Sequence, residues 1–284
     1  MSPPVIRPNH AGPRRGASDP GFVLPPGACD THVHILGPYD RHPLLVTRMI
    51  EPPAAPVEDY LATARPLGLA RAVIVQPSVY ASDNRCTLEA IAALGDTARG
   101  VAVIGPDASD EALAALHRGG VRGVRLQAGA AGGQSPDLYA AGARRIAPLG
   151  WHLQLFLEAR ALPPILPLLR GLGLPLVFDH MAQIDSASGE DEPGFQALLA
   201  LLAEGLAWVK LSNSFFVPRA ERARALFAAN PRRCLWGSDW PHMAEMEPAV
   251  PDEGQLLARL GAWFPDPAAR RAILSENPDA LYFR

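Results

Sequence analysis

The chain contains little cysteine and no long apolar run. Cys29, Cys86 and Cys234 are widely spaced and form no Cys-x-x-Cys pair, which argues against a disulfide framework and a structural zinc site. No run approaches the ~20 apolar residues of a membrane span, and the N-terminus lacks the apolar region of a signal peptide. We therefore expect a cytoplasmic protein without a membrane partner.

Excess charge of either sign is also missing. The formal net charge of -3 provides no basic surface for nucleic acid or for an anionic membrane. The glycine-rich residues 129–133 lack the Lys-Ser/Thr ending of a phosphate loop, and we interpret them as a flexible lid. A small molecule is therefore the expected partner, and the sequence leaves open whether the chain forms a homo-oligomer.

The length and the hydrophobic content predict one domain. With 284 residues, 48% of them hydrophobic, the chain can form a single large core, and we expect a flexible tail at residues 1–22 and one domain at residues 23–284. Short apolar runs predict strands at residues 28–34, 71–76, 100–104, 123–126, 152–156, 175–179, 207–211 and 234–237. Helical periodicity predicts helices at residues 57–67, 88–94, 110–117, 138–148, 162–172, 195–204, 219–229, 254–262 and 267–275.

The alternation of these segments predicts an α/β fold. The strand runs are apolar throughout, as parallel strands covered by helices are. Eight of them predict a (β/α)8 TIM barrel, and a doubly wound open sheet is the alternative. No Gly-x-Gly-x-x-Gly follows the first strand, and polar residues collect at the ends of many strands, so we favour the barrel.

Three histidines and one aspartate follow predicted strands. His32 and His34 are two residues apart on the first strand, so their side chains face the same side. His180 directly follows the sixth strand and Asp239 follows the eighth. Barrel enzymes carry their sites at these strand ends, so we expect the four side chains to meet at one site. The structural alternatives are a core histidine at position 180 and a helix N-cap at position 239.

Other polar residues at strand ends are candidates for substrate contacts. Arg125 is the candidate carboxylate clamp, because a guanidinium group can bind two oxygens at once; a salt-bridged arginine inside the barrel is the alternative. The remaining candidates are neutral or imidazole side chains: Gln76, Ser78, Tyr80, Gln154, Ser212, Asn213 and His242.

Ordered motifs along nearly the whole chain resemble those of one enzyme group. They are Cys29-Asp30-Thr31-His32-Val33-His34, Val75-Gln76-Pro77-Ser78, Gly123-Val124-Arg125, Phe178-Asp179-His180-Met181, Val209-Lys210 and Trp236-Gly237-Ser238-Asp239-Trp240-Pro241-His242. The chain resembles the amidohydrolase superfamily, and within it the amidohydrolase-2 branch that includes the pyrone-dicarboxylate lactonases. The resemblance implies a barrel hydrolase in which Asp239 takes the proton from an attacking water.

The resemblance leaves the metal open. His32, His34, His180 and Asp239 can hold one divalent ion, zinc or manganese, or the histidines can serve as hydrogen-bond donors in a lactonase for which the ion is dispensable. Binuclear relatives use a bridging lysine on the fourth or fifth strand. The fifth predicted strand has no lysine, and its one histidine, His152, is at its start. We therefore expect at most one ion. Lys210 lies within the family motif, and we interpret it as structural.

Together these features predict a lactonase. Its expected substrate is a carboxylate-bearing lactone, either of a sugar acid or of an aromatic-catabolism intermediate. Alternatives are a lactone isomerase or a decarboxylase on the same barrel, or a ligand-binding barrel that has lost its chemistry.

Overall fold

The computed structural model describes residues 7–8, 12–46, 50–127, 136–185, 189, 191–212, 220–242 and 251–284. Eight parallel strands lie in one sheet, and each pairs with its neighbour in the chain. The strands are β1 (Cys29–Val33), β2 (Arg71–Val75), β3 (Ala98–Ala102), β4 (Val121–Gln127), β5 (His152–Phe156), β6 (Leu176–Phe178), β7 (Ala207–Lys210) and β8 (Cys234–Leu235). The helices are α1 (Val57–Leu67), α2 (Arg85–Leu94), α3 (Asp110–Arg118), α4 (Pro136–Ile146), α5 (Leu162–Arg170), α6 (Pro193–Ala203), α7 (Ala220–Ala229), α8 (Glu253–Trp263) and α9 (Pro267–Arg271).

The sheet closes between β1 and the segment that follows β8. The amide of Thr31 donates to the carbonyl of Trp236 at 3.0 Å, and the amide of His34 donates to that of Trp240 at 2.8 Å. In the opposite direction, the amide of Asp239 donates to the carbonyl of His32 at 2.9 Å. The predicted (β/α)8 barrel is confirmed, and its closing seam brings Asp239 beside the histidines of β1.

Several predicted boundaries match the structure, and the others differ for local reasons. The limits of α1 and β5 are those expected from the sequence. The third strand begins and ends two residues earlier than expected. Its end differs because Val103 and Ile104 are apolar, as strand residues are, but line a cleft beyond the strand. The expected helix at 267–275 ends at Arg271 and continues as a π-helical turn.

Residues near the N-terminus contact two helices of the barrel. The amide of Gly16 donates to Thr63 Oγ1 at 3.3 Å, and Ser18 Oγ donates to Asp252 Oδ2 at 2.6 Å. The mobility of the segment 1–22 and the domain boundary at residue 23 stay predictions. The expected lid at 129–133 lies outside the described residues. Among the described helices, none is long and apolar enough to cross a bilayer.

Candidate active site

The structure brings His32, His34, His180 and Asp239 together at the mouth of the barrel. The Nε2 atoms of His32 and His34 are 3.2 Å apart. Asp239 Oδ1 lies 3.4 Å from His32 Nε2, 3.5 Å from His34 Nε2 and 3.9 Å from His180 Nε2. The three histidines are buried, and the Asp239 side chain keeps 18% of its surface exposed. One carboxylate oxygen therefore faces three imidazoles and remains accessible from the mouth.

Unusual backbone conformations place two of these side chains. Asp239 has a φ of +68°, and His180 has a φ of +53° and begins a run of four residues with positive φ. Residues other than glycine rarely adopt this left-handed region, and where they do the surrounding structure holds them there at a cost of about 1–3 kcal/mol each. For Asp239 that support includes the bond from its amide to the carbonyl of His32.

The outer nitrogen of each histidine is occupied. His34 Nδ1 lies 2.8 Å from the carbonyl oxygen of Val75, which can only accept, so Nδ1 carries the proton. His180 Nδ1 lies 2.8 Å from Ser212 Oγ, and His32 Nδ1 lies 3.3 Å from Asp179 Oδ1. Because Asp179 is acceptor-only when ionised, this contact favours a proton on His32 Nδ1 as well. The Nε2 atoms of His32 and His34 are then directed at the site with their lone pairs, the arrangement found around metal-binding histidines.

Asp179 is the hub of a buried charge network behind His32. Its Oδ2 accepts from Arg125 Nε at 2.9 Å and from Gln154 Nε2 at 3.1 Å, and its Oδ1 lies 3.5 Å from Lys210 Nζ. Burial raises the pKa of Asp179, but the contact with His32 and the charges of Arg125 and Lys210 outweigh burial and hold that pKa well below its usual value. Asp179 is therefore a permanent anion that orients His32.

Lys210 completes this network from β7. Its Nζ lies 2.9 Å from Gln154 Oε1 and 3.4 Å from His32 Nδ1, and the side chain is fully buried. Burial is the main reason that its pKa is lowered to about 8, while Asp179 opposes the shift. Sequence reasoning omitted Asp179 and Lys210 from the site. A charged residue at the end of a wholly apolar strand was the available signal, because a charge buried there needs a partner.

Asp30 joins the two strands that carry the site. Its Oδ1 accepts from the amide of His32 at 3.1 Å and from the amide of Ser238 at 2.9 Å. The backbone beside His32 and the backbone beside Asp239 are thus fixed to the same oxygen. Burial raises the pKa of Asp30 to about 7, against the opposing hydrogen bonds from Ser238 and His32. Sequence reasoning also missed this residue.

Electrostatics keep Asp239 ionised. Burial raises the pKa of its carboxyl group, but the surrounding imidazoles of His180, His34 and His32 hold that pKa far below its usual value. For His32, burial and the charge of Lys210 lower the pKa well below the usual value for an imidazole. The site at neutral pH therefore contains the Asp239 carboxylate beside a neutral His32 imidazole.

Three of the expected substrate-binding residues are committed to other contacts. The amide nitrogen of Gln76 donates to the carbonyls of Ala81 and Asp83, and its oxygen accepts from Thr87 Oγ1 at 2.6 Å. Tyr80 is buried, and its hydroxyl accepts from the amide of Gly37. His242 Nε2 pairs with Glu253 Oε1 at 2.7 Å. These contacts hold loops in place, so the geometry does not support the expected substrate contacts of these three residues.

The other expected substrate-binding residues differ in position. Ser212 contacts His180, and Gln154 bridges Asp179 to Lys210, so both contact other side chains of the site, and their contacts with substrate stay predictions. Arg125 and Ser78 line a cleft at the mouth. Arg125 forms a salt bridge with Asp179, which was the alternative considered from the sequence, and it also lines the cleft. Asn213 lies outside the described residues.

The inner atoms of the site fit a single cation. Ligand atoms of His32, His180 and Asp239 all lie within 4.8 Å of one another. With Nδ1 protonated on His32 and His34, both Nε2 atoms and the Asp239 carboxylate are acceptors, and their electron pairs converge without a donor between them. Such a set of imidazole nitrogens and a carboxylate suits a divalent metal ion. In the described part of β5, His152 is the first residue of the strand and lies away from the mouth, so it offers no second ligand set.

Comparisons with known proteins cover nearly the whole chain. A family model described as amidohydrolase matches residues 29–284. The chain is 32% identical to 4-sulfomuconolactone hydrolase of Rhizobium radiobacter, with 95% of each chain covered. It is 34% identical to 2-pyrone-4,6-dicarboxylate hydrolase of Comamonas testosteroni, over 94% of this chain and 93% of that protein. It is also 31% identical to D-galactarolactone isomerase of Agrobacterium fabrum, with 93% of each covered.

A solved structure has the same architecture. A protein of Agrobacterium tumefaciens is similar to this chain with a TM-score of 0.83 and 29% identity, over 93% of this chain and 98% of that one. The likeness extends over the whole barrel and is not confined to the residues at its mouth.

Proposed function

The chain belongs to the amidohydrolase family, and we propose that it is an enzyme that hydrolyses a carboxylate-bearing lactone. Two relatives named as hydrolases of a lactone and of a pyrone, itself a cyclic ester, support this reaction class. Both of their names include acidic groups, a sulfonate in one and two carboxylates in the other. We infer from these names that the substrate of this chain is also an organic anion.

One observation carries the proposal: an ionised carboxylate lies at the open end of a histidine cluster. Asp239 Oδ1 lies within 3.4–3.9 Å of three imidazoles, and their outer nitrogens are all occupied. A general base must be ionised and within hydrogen-bond reach of the water that it activates. Asp239 meets the first condition through its lowered pKa and the second through its exposed side-chain surface.

The reaction follows from these positions. Asp239 accepts a proton from water as the water oxygen attacks the lactone carbonyl carbon. Negative charge then builds on the carbonyl oxygen, and His180 can stabilise it by donating from Nε2, because the Ser212 hydroxyl can donate to His180 Nδ1. The ring carbon–oxygen bond breaks, and the carboxyl group of Asp239 returns its proton to the departing oxygen. The product is a hydroxy acid, and Asp239 is again a carboxylate.

Arg125 is the proposed partner of the substrate's acidic group. Its Nε is used by Asp179, but among the described residues its two terminal nitrogens have no hydrogen-bond partner. Arg125 lines the cleft at the mouth, and we propose that one carboxylate of the substrate pairs with these nitrogens. Because Arg125 is the one such clamp expected from the sequence, we propose that lactones with one carboxylate turn over faster than 2-pyrone-4,6-dicarboxylate.

The proposed cofactor is one divalent ion, zinc or manganese. His32, His180 and Asp239 would hold it, with His34 beside them. When bound, such an ion polarises a carbonyl group and lowers the pKa of water. Elemental analysis of purified protein should give at most one equivalent per chain, and two equivalents would contradict the proposal. Activity that persists after chelation would show that the ion is dispensable.

A lactone panel in isotope-labelled water tests the reaction. Hydrolysis should place one labelled oxygen in the new carboxylate of the product. The isomerase alternative has support from one relative's name, and it predicts a second lactone that contains no label. A decarboxylase would release carbon dioxide. A folded protein that binds these lactones without turning any of them over would be the ligand-binding barrel that was the remaining alternative.

A further inference from the structure

A large cleft lies beside the histidine cluster, and its walls are mostly apolar. Its volume of about 660 Å³ falls within the range of about 300–1,000 Å³ that is usual for small-molecule sites. One wall consists of residues 103–106 after β3, and the opposite wall consists of residues 138, 141, 142, 144 and 145 on α4. Val124, Arg125 and Leu126 of β4 form its floor.

Arg125 links the lining of the cleft to the catalytic centre. The guanidinium carbon of Arg125 lies 5.0 Å from the centre of the Phe156 ring, and that ring lies 5.6 Å from the ring of His180. On its other side Arg125 bonds to Asp179, which contacts His32. Two side chains therefore lie between the cleft and each of these histidines: Arg125 and Phe156 before His180, and Arg125 and Asp179 before His32.

The charges around the cleft are of one sign. Its described lining includes Arg125, Arg144 and Arg145 but no aspartate or glutamate. Arg145 is partly used in fastening α4 to the loop after β3, through the carbonyls of Pro106 and Ala108 and through Asp110. Arg144 is exposed at the edge. An anion with an apolar body matches a cleft that has apolar walls and cationic ends.

The helix that forms one wall presents a separate face to the core. Tyr139, Ala143 and Ile146 are buried, so α4 packs on the barrel through those positions. Leu138 is 50% exposed, and it lies on the cleft side with Ala141 and Gly142. The outward face of a surface helix usually carries charged side chains. On α4 the exposed leucine and the two small residues instead leave apolar space in the cleft.

We infer that the substrate carries an apolar substituent that occupies this cleft while its carboxylate pairs with Arg125 and its lactone ring reaches Asp239. The inference rests on the proposed lactone hydrolysis and adds a substrate class, namely lactones with an alkyl or aryl group. Burying such a group in an apolar site is favourable in proportion to the area removed from water.

Two lactones test the inference: γ-butyrolactone-γ-carboxylate and the same compound with an n-hexyl group on the ring. We expect the hexyl compound to have a kcat/KM at least about 10-fold higher, mainly through a lower KM. Equal values, or a preference for the unsubstituted lactone, would overturn the inference and leave lactone hydrolysis intact.

Two variants locate the hexyl group. In Gly142→Leu a new Cβ would meet Leu126 Cδ1 at 3.8 Å, an ordinary contact, so the side chain can enter the cleft without disturbing the helix. Ala141→Trp fills the same space from the exposed edge. Both should lower the ratio of hexyl to unsubstituted kcat/KM by about 10-fold. The matched control is Ala140→Leu on α4, which lies outside the cleft lining and should leave the ratio unchanged.

A binding measurement separates this inference from the proposed reaction. Calorimetric titration with the two ring-opened hydroxy acids needs no turnover. If neither lactone is hydrolysed but the hexyl acid binds at least about 10-fold more tightly than the unsubstituted acid, and Gly142→Leu abolishes the difference, the cleft assignment stands and the lactonase proposal fails. Equal binding of both acids would refute the cleft assignment.

Discussion

His32 and His152 are both fully buried in the same barrel, but their surroundings differ completely. His32 has Asp179 at Nδ1 and both His34 and Asp239 at Nε2. Neither ring nitrogen of His152 has a hydrogen-bond partner among the described residues, and its ring instead meets Tyr282 edge-on at 5.2 Å. Burial alone therefore does not make a histidine functional; the acceptors and donors directed at its nitrogens do.

The two histidines also occupy opposite ends of their strands. His32 lies near the C-terminal end of β1, at the mouth, and His152 is the first residue of β5. Burial lowers the pKa of both imidazoles, and the charge of Lys210 adds to that effect in each case. Only at the mouth do anions oppose this shift closely enough to form contacts. In this barrel, as in barrel enzymes generally, the polar contacts lie at the C-terminal ends of the strands, and the histidine at the N-terminal end, here called the floor of the barrel, contributes to packing.

The largest expected effect comes from removing the charge at the mouth. Asp239→Asn keeps the size of the side chain and loses its ability to accept a proton, so kcat should fall by about 10²–10⁴-fold. Steady-state kinetics on the best lactone of the panel measure the loss, and thermal melting checks the fold. Retained activity with an unchanged melting temperature would move the role of base to another group, with His180 as the first candidate. An early melting transition would make Asp239 structural.

A smaller effect is expected from the anion behind His32. Asp179→Asn no longer holds the proton on His32 Nδ1, and loss of such an orienting partner costs about 10–100-fold in activity. It also leaves Arg125 and Lys210 without their shared carboxylate, which should lower the free energy of unfolding by about 3–5 kcal/mol. Kinetics and urea unfolding measure the two losses separately.

A double variant distinguishes orientation from stability at Asp179. Adding Lys210→Met removes one of the two unpaired cations, so part of the lost stability should return. Activity should not return, because His32 still lacks its acceptor. If activity recovers together with stability, Asp179 serves only to neutralise buried charge. The difference between His32 and His152 would then rest on their other contacts.

Much of the fold was predictable from the sequence, because long apolar strands and periodic helices are local signals. The limits of α1 and β5 were predicted to the residue. The meeting of His32, His34, His180 and Asp239 followed from one rule, that parallel strands of a barrel end at the same face. The structure places all four side chains there, and their chemical roles stay predictions.

The supporting residues could not be predicted in the same way. Asp30, Asp179 and Lys210 act through partners on other strands, and the register between strands decides those partners. Gln76 shows the opposite difficulty, because a polar residue at a strand end is as well placed to bond its own loop as to bond a substrate, and its contact with substrate stays a prediction. A sequence supplies the donor or acceptor but not the direction in which it points.

The smallest expected effect is at the floor of the barrel. His152→Leu removes two buried nitrogens without partners, so the free energy of unfolding at pH 7 should rise by about 1 kcal/mol. The pKa of His152 is lowered to about 3 in the folded protein, chiefly by burial, against about 6.5 when unfolded. Between these values the unfolded chain binds a proton that the folded chain does not, so the native protein loses stability as the pH falls below about 6.5. The variant lacks this loss, and its advantage in the free energy of unfolding should grow by about 2 kcal/mol between pH 7 and pH 5.

Urea unfolding at the two pH values measures this difference. The value of kcat/KM at pH 7 should change by less than about twofold, because no site residue bonds to His152. An advantage that does not change with pH would mean that His152 has a proton-accepting or proton-donating partner in solution, and a large loss of activity would mean that floor and mouth are coupled.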